Sequence, residues 1–323
     1  MQWDNDLLTG TDDGYTNGAR IAVARALSPD SARHNQLQSI LRRLTGADAD
    51  SALDNFRFPG MGNLRFQYGI GLSQLMFTPQ DPDTPTPPPG ERPYAAWSGL
   101  EFSLQASAQN SASTASLSIG TTGKNSYGQD LQNWIHEHVS DSPIFQGWDS
   151  QAPGEPTFNL HFDHKRRICL LDATDAWPLQ IDGFTEWGAS VGNLRTDFYA
   201  GTHLRAGWNL PASHLTPRVQ LGSFTETLFS HEANDDKKFS VYGFAGVRGY
   251  GVLHEITLDG PLFREWDESA NSEPWVGELN FGLAGRYDGL EVSLSHTIRS
   301  DEFDGQRNRS RYGSVLIRLS GAF

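Results

Sequence analysis

Side chains able to do chemistry gather in two short stretches of the sequence. The first begins with Asn5 and Asp6 and resumes with residues 11–18, which read Thr-Asp-Asp-Gly-Tyr-Thr-Asn-Gly. Clustered carboxylate, amide and hydroxyl oxygens suit a hard cation such as calcium. The spacing is not that of an EF-hand, and the aspartates, asparagine and glycines are equally typical of a turn. Asp6 and Thr16 fit a turn less well, because a hairpin would place them on strand ends that face each other.

The second stretch runs from Gly128 to His136. Leu131, Trp134 and Ile135 recur at helical spacing, which places Gln132 and His136 one turn apart on a neighbouring face. A histidine held by a helix over the rim of a barrel could act as a general base toward water. An ordinary exposed histidine is the alternative explanation of the same pattern.

Other catalytic and metal-binding patterns are missing from the sequence. His136-Glu137-His138 is not the H-E-x-x-H pattern of zinc enzymes, so zinc is not expected there. Gly188 to Gly192 match G-x-S-x-G, but they lie at the end of one predicted strand and are followed by another strand rather than a helix, so they do not form the elbow that marks a nucleophilic serine. The single cysteine, Cys169, cannot form a disulfide within the chain. A formal net charge of −14 argues against a nucleic-acid partner, which requires a basic face.

The elements that must position these residues are strands, because apolar and polar residues alternate with period two along most of the chain. Leu64 to Leu72 and Leu290 to Leu294 are examples in which every second residue is apolar. Only 37% of the residues are hydrophobic, and no apolar run is long enough for a transmembrane helix. Charges at inward positions, aromatic residues near strand ends, and short turns alternating with long loops favour a membrane barrel over a soluble sandwich.

We therefore predict an all-β fold, a twelve-stranded antiparallel transmembrane β-barrel that forms a single domain over residues 1–323. The predicted strands are residues 1–8, 15–27, 63–78, 93–108, 114–123, 156–170, 178–191, 196–209, 238–257, 274–287, 290–299 and 311–323. An even count returns both termini to the periplasmic side. Short links near Asn110, Asp288 and Gly289 should face the periplasm, and residues 79–93 and 123–156 should form external loops.

Two departures from a plain barrel are expected. Residues 29–58 are too long for a periplasmic turn, and their apolar spacing followed by Gly46 predicts a short amphipathic helix that covers the barrel mouth. A second short helix is expected in the external loop that carries His136. The chain opens without a basic and apolar leader, so a mature or trimmed start is expected. The terminal Phe323, which ends an alternating strand, resembles the assembly signal of Gram-negative outer-membrane barrels.

Several stretches, taken in order, resemble the lipid A 3'-O-deacylase (LpxR) family. Each piece is short, and their order along nearly the whole chain makes the resemblance specific. They are Asn5-Asp6, Thr11-Asp12, Tyr15 to Gly18, Thr78-Pro79, Arg92 to Trp97, Gly128-Gln129, Gln132-Asn133, His136, Gly147 to Asp149, Gln151, Leu258 to Gly260, and Arg299 to Gln306.

This resemblance implies a calcium-dependent esterase that removes the 3'-linked acyloxyacyl chain of lipid A in the outer membrane. It implies that Asp6 is the calcium ligand and that Asn5 and Thr16 shape the site. His136 would be the base and Gln132 its support. The expected partners are lipid A or lipopolysaccharide and the surrounding outer-membrane lipids. We expect a monomer whose active site faces the outside of the cell.

Two further expectations come with the resemblance. Arg92 would meet a lipid A phosphate, since a guanidinium binds phosphate well, and the alternative is a strand-end charge that snorkels at the membrane interface. The family carries an acidic residue shortly after the histidine, a position that Asp141 could fill here. Rival functions are a non-enzymatic pore or structural barrel and an outer-membrane phospholipase, which would need a nucleophilic serine.

Overall fold

The computed structural model describes residues 1–6, 14–45, 64–81, 84–108, 110–140, 144–171, 173–174, 178–211, 239–267 and 270–321. Several residues named above lie outside these ranges. They are Thr11, Asp12, Gly46, Asp141 and Phe323.

Twelve antiparallel strands, β1 to β12, form a closed barrel in which β1 pairs with β12, so the predicted fold is confirmed. Closure leaves no strand edge with unpaired backbone groups. The strand bounds lie close to the predicted ones. They are Gln2–Asn5, Gly14–Ala26, Arg65–Thr78, Ala95–Ser107, Ser111–Thr122, Pro156–Leu171, Gln180–Gly192, Arg195–Trp208, Phe239–Glu255, Trp275–Tyr287, Leu290–Arg299 and Arg311–Leu319.

Three α-helices accompany the barrel in the part of the chain that the structure describes. They are α1 at Ala32–Thr45, α2 at Gly128–Ile135 and the single turn α3 at Ile256–Asp259. Among the described residues, no helix combines the length and apolarity needed to cross a membrane. We call the end of the barrel at which β1, β3 and β5 finish the upper end, and α2 follows β5 there.

The two faces of the wall differ as the alternation predicted. Outward side chains such as Leu72, Phe102 and Leu160 are exposed, whereas the inward side chains between them are buried and mostly polar. Alternation arises because successive side chains of a strand point to opposite faces. An open pore would leave inward side chains accessible to water. Their burial therefore indicates a filled lumen and argues against the pore function.

Charged groups in the lumen neutralise one another. One carboxylate, Glu186, accepts bonds from Arg248 at 2.6 Å and His203 at 2.7 Å and lies 3.7 Å from Lys165. All four side chains are at most 5% exposed. Removing one member of a buried ionic network leaves its partners as unpaired buried charges. This lowers the free energy of unfolding far more than the loss of an exposed ion pair does.

The turns confirm part of the predicted arrangement. Asp288 and Gly289 link β10 to β11 with φ angles of 44° and 87°, the left-handed conformation of a two-residue hairpin. The link between β7 and β8, in contrast, is short although it lies at the upper end, since β7 ends at Gly192 and β8 begins at Arg195. The link from β8 to β9 is long although it lies at the lower end. Short and long connections are thus not separated strictly by end.

The predicted helix in residues 29–58 is present as α1, but its predicted place over the barrel mouth is wrong. Leu37 and Leu41 pack against Leu64, Phe66 and Ala108. Phe66 shares the outward parity of the exposed Ile70 and Leu72, so α1 lies on the outer wall at the lower end. The ring of His34 bonds the carbonyl of Leu64 at 2.8 Å and helps to fix the helix there.

We predict that Glu186→Gln lowers the free energy of unfolding by about 3–5 kcal/mol, because Arg248 and Lys165 lose their buried anion. The measurement is the urea or temperature midpoint of the change in gel mobility in detergent. Asp149→Asn is the matched control, since Asp149 pairs with Lys124 at 3.1 Å with its side chain 88% exposed. Equal midpoints for the two variants would contradict the prediction.

Candidate functional site

A β-bulge at the upper end of β2 sets the geometry of the first candidate cluster. Tyr15 pairs with Phe77 and Asn17 with Met76, so Thr16 is the extra residue. Tyr15 faces the lumen, where its hydroxyl donates to Asp4 Oδ2 at 3.1 Å. Asn17 lies four residues before the exposed Ile21 on β2, so it faces outward as Ile21 does. Its cross-strand partner, Asn5, therefore faces outward too. The bulge therefore lets Thr16 and Asn17 follow each other on the outer face.

The predicted meeting of β1 and β2 is confirmed, whereas the turn explanation fails for Asn17 and Gly18, which lie inside β2. Asn5 is cross-strand to Asn17, so Asp6 comes level with Thr16. These side chains and Thr78 at the end of β3 are all at most 3% exposed. The Thr16 and Thr78 hydroxyl oxygens lie 2.5 Å apart. Oxygen donors are thus concentrated at one buried place on an otherwise apolar wall.

The second cluster lies on the segment after β5, which folds down over the outer wall. A tight turn, Gly123–Ser126, comes first. The carbonyl of Ser126 accepts bonds from Ser98 Oγ at 2.6 Å and from Gln74 Nε2 at 2.7 Å, both outward-facing residues. Helix α2 then packs on the wall through Leu131 and Ile135, which contact the cluster formed by Met76, Tyr94, Ala96, Phe145 and Trp148.

Close packing at the start of α2 depends on glycine. A Cβ at Gly128 would lie 2.2 Å from the Cβ of Ala96 and 3.3 Å from the Trp148 ring. Such a contact is much shorter than van der Waals separation, so any larger residue must push the helix away from β4. The glycine thereby fixes the height of α2 above the wall.

The predicted helix phase is confirmed for the two residues proposed to do chemistry. Gln132 and His136 are 2% and 3% exposed, whereas Trp134 is 53% exposed. His138 is exposed too and stacks on Trp134 with ring centroids 5.3 Å apart. Trp134 therefore does not belong to the packed apolar face with Leu131 and Ile135, which the spacing alone had suggested.

His136 and Gln132 each have a defined neighbour. The His136 ring meets Phe145 edge to face, with centroids 4.8 Å apart, at the point where α2 widens into a π-helical turn, His136–Ser140. The fully buried Trp148 donates its indole N–H to Gln132 Oε1 at 2.6 Å. Wide turns of this kind are frequent at functional sites.

One outward residue connects the two clusters. Met76 is the cross-strand partner of Asn17 in the oxygen cluster. It also belongs to the apolar cluster that carries α2 and contains Phe145, the neighbour of His136. The structure therefore brings Asn5 and Thr16 to the same face and the same end of the wall as Gln132 and His136, and Asp6 follows Asn5 directly in the chain.

Arg92 stands apart from this group. Its guanidinium lies 5.0 Å from the ring centre of Phe77 and 5.7 Å from that of Phe303, and it pairs with Glu302 at 3.4 Å. Phe77 faces inward, so Arg92 and His136 are on opposite sides of β3. Arg92 is 1% exposed, which rules out snorkelling in this conformation. Its contact with a phosphate stays a prediction.

Glu302 ties this inner network together. Burial by itself would raise the pKa of the Glu302 carboxyl, but Arg299 and Arg92 and the bond from Ser310 together lower this pKa to about 2. Arg299 Nη1 donates to Glu302 at 2.9 Å. The carboxylate is therefore charged at any physiological pH and holds Arg92 in place.

The oxygen cluster fits a hard cation in its donor types. Asp6 supplies a fully buried carboxylate, and Asn17 Oδ1 is a buried acceptor without a hydrogen-bond partner among the described residues. Calcium binds carboxylate, amide and hydroxyl oxygens. Within the described ranges no group of three or more histidine, cysteine or acidic side chains could hold a metal, so neutral oxygens would have to supplement Asp6.

Sequence reasoning overlooked three residues of this region. Asn17 was explained as a turn former, and Thr78 and Trp148 were noted without a role. The position of Thr78 at the end of an alternating strand was a usable signal for a rim residue. The bulge at Thr16 and the long-range contact of Trp148 with Gln132 leave no mark on local periodicity.

The fold defines a class, the closed twelve-stranded antiparallel β-barrel, and this one has buried polar side chains on the outward face of its wall. The family model "Outer membrane protein LpxR" matches residues 1–320, and the chain belongs to that family. It is therefore an outer-membrane protein of a family that modifies lipid A, as the ordered stretches indicated. LpxR from Salmonella typhimurium shares the fold, with a TM-score of 0.74, 16% identity and 98% of each chain covered. No curated protein sequence matches the chain.

We predict that Gly128→Ala loosens α2 and makes the segment after β5 more susceptible to limited proteolysis. Alanine ordinarily favours a helix by about 1 kcal/mol over glycine, so the opposite sign would come only from the contact with Ala96. Gly249→Ala in β9 is the control, because a Cβ there would meet nothing within 4 Å. A Gly128→Ala protein that resists the protease as well as this control would show that α2 is not pressed against β4.

Proposed function

We propose that this protein hydrolyses the ester that joins the 3'-linked acyloxyacyl chain to lipid A, in a calcium-dependent reaction at the outer leaflet of the outer membrane. One observation carries the proposal. Buried polar side chains of β1, β2 and α2 lie on the outward face of a wall whose exposed outward side chains are largely apolar. A membrane lipid can reach this face without leaving its leaflet.

His136 would act on the water. Its imidazole takes a proton from a water molecule while the water oxygen forms a bond to the ester carbonyl carbon. The resulting tetrahedral oxyanion collapses, and the bond from this carbon to the sugar oxygen breaks. The imidazolium then returns the proton to that oxygen. The products are a free acyloxyacyl acid and a lipid A with a 3'-hydroxyl.

Asp6 would hold the calcium, with Asn5, Thr16 and Asn17 as the neutral oxygen donors nearest in the fold. When bound, this ion supplies positive charge that stabilises the oxyanion, and such stabilisation is commonly the largest catalytic contribution. The edge contact with Phe145 restricts the His136 ring, and burial keeps bulk water from competing for its lone pair. Gln132, one turn away, supports the same site.

A serine nucleophile, which the phospholipase alternative requires, has less support. Ser113 Oγ lies 2.8 Å from His164 Nδ1, but Ser113 sits near the beginning of β5, at the lower end of the wall. Its neighbours along the strand use their N–H groups in the pairing of β5 with β4 and β6. A strand in the middle of a sheet thus offers few donors for an oxyanion.

Calcium dependence is tested on Asp6. We predict that Asp6→Asn abolishes the release of the acyl chain from lipid A and that excess chelator does the same to the unmutated protein, with recovery on added calcium. The measurement is mass spectrometry of lipid A in detergent or outer-membrane vesicles. Asp4→Asn is the matched control, because Asp4 lies on the same strand but faces the lumen opposite Ser314. Full activity in chelator would refute the metal role.

The role of His136 as the base is tested by comparing this buried histidine with the exposed His138, two residues further along the chain. We predict that His136→Ala lowers turnover by about 10²–10⁴-fold, the usual contribution of a general base, while gel mobility stays that of a folded barrel. His138→Ala should remain active, because His138 points away and stacks on Trp134. Equal losses in both variants would show that the assignment is wrong.

A further inference from the structure

Trp148 holds the side chain of Gln132 in one orientation. An indole nitrogen can only donate, so the atom of the carboxamide that lies 2.6 Å from it must be the oxygen. The donor-only indole therefore fixes which atom of the Gln132 amide is the oxygen and which is the nitrogen. The Gln132 Nε2 group therefore points the other way, and it is buried with no hydrogen-bond partner among the described residues.

The ring of Trp148 is itself fixed. It is fully buried and packs against Tyr94, with ring centroids 5.2 Å apart. The main-chain carbonyl of Trp148 accepts a hydrogen bond from the Gln151 side-chain amide at 2.9 Å. A Cβ on the preceding residue, Gly147, would lie 2.1 Å from the Tyr94 ring, so glycine is needed for this approach. The indole is thus a rigid donor in a rigid pocket.

We propose that Trp148 is a positioning residue, which presents the Gln132 amide to the site as a hydrogen-bond donor. The two N–H bonds of the Gln132 amide are buried without a partner among the described residues, which is costly in free energy. The rigid Trp148 indole nevertheless holds the amide in this orientation, as is expected where a bound acceptor offsets the cost. An ester or water oxygen bound between α2 and the wall is the acceptor that the proposed hydrolysis would supply. This inference rests on the proposed function, because it gives Gln132 its role in that reaction.

The donor role makes a distinctive demand on substitutions. Gln132→Glu keeps the size and an oxygen for the indole, but its second oxygen can only accept. We expect this variant to lose about 10²–10³-fold in kcat, the usual effect of losing one donor to a developing charge. If Gln132 served as an acceptor, for example for an imidazole N–H, Gln132→Glu would remain active, and this outcome would overturn the inference.

The positioning role is tested with Trp148→Phe, which keeps an aromatic ring against Tyr94 and removes only the N–H. The freed amide can then turn, so kcat should fall by about tenfold with little change in KM, because Trp148 would not touch the substrate. In a Gln132→Ala background the same change should have almost no further effect on kcat. Independent, multiplied losses in the double variant would overturn the inference.

Trp97→Phe is the matched control. Trp97 is equally buried at the upper end of β4 and donates to Thr157 Oγ1 at 2.8 Å, but it faces the lumen. This variant should keep the kcat of the unmutated protein. A loss like that of Trp148→Phe would mean that any cavity at the upper end is harmful, and the positioning role would fall.

A readout without catalysis separates this inference from the proposed function. In the NMR spectrum, the indole N–H resonance of Trp148 is identified as the one that disappears in Trp148→Phe. This resonance should shift upfield in Gln132→Met, because the indole loses its hydrogen-bond acceptor. If the unmutated protein released no acyl chain from lipid A, the proposed function would fail whatever this resonance does. An unmoved resonance would refute the contact of Trp148 with Gln132 even in an active enzyme.

Discussion

Pairing of every strand with two neighbours is the constraint on which the other features of this protein depend, because a barrel wall in lipid can leave no backbone group unpaired. The ring closes through β1, which has only four residues. Its register with β12 and β2 turns Asp4 toward the lumen and Asn5 outward. A slip of one residue would exchange these two faces. The register of β1 that closes the barrel therefore also determines which residues of the oxygen cluster face outward.

The bulge at Thr16 then breaks the alternation at a single point. Without it, strict alternation from Asn17 would turn Thr16 toward the lumen and Tyr15 outward, away from Asp4. With it, two consecutive polar residues of β2 share the outer face next to Asn5, at the level where Thr78 ends β3. A bulge places an extra residue on a strand without disturbing the pairing beyond it, which is why bulges recur beside functional sites. The rest of β2 keeps its apolar outward row.

Period-two alternation was sufficient to predict the strand count and most strand ends, since Leu290 to Leu294 or Leu64 to Leu72 can bury only one side in a half-buried sheet. Inward charges, aromatic residues near strand ends and loop lengths were needed as well to favour a closed membrane barrel over a sandwich. Helical spacing likewise placed Gln132 and His136 on one face of a helix, and the structure shows that this face is buried. Contacts between distant segments were not predictable in this way. The seat of α1 on Phe66, the position of Arg92 inside the upper end and the bond from Trp148 to Gln132 all depend on which face a loop returns to. Local sequence does not encode that choice.

The filled lumen decides where chemistry can take place. Networks such as the one around Glu186 bury most of the described inward side chains and tie neighbouring strands together, so side chains fill the lumen along the described strands. The outer wall remains, and there the segment after β5 adds a second layer whose contact side is packed and whose far side carries the exposed Tyr127 and Trp134. Amphipathic aromatic rings of this kind favour the membrane interface. A packed lumen, and a helix with exposed aromatic rings on its far side, therefore favour the outer wall as the place where a membrane lipid would meet the proposed site.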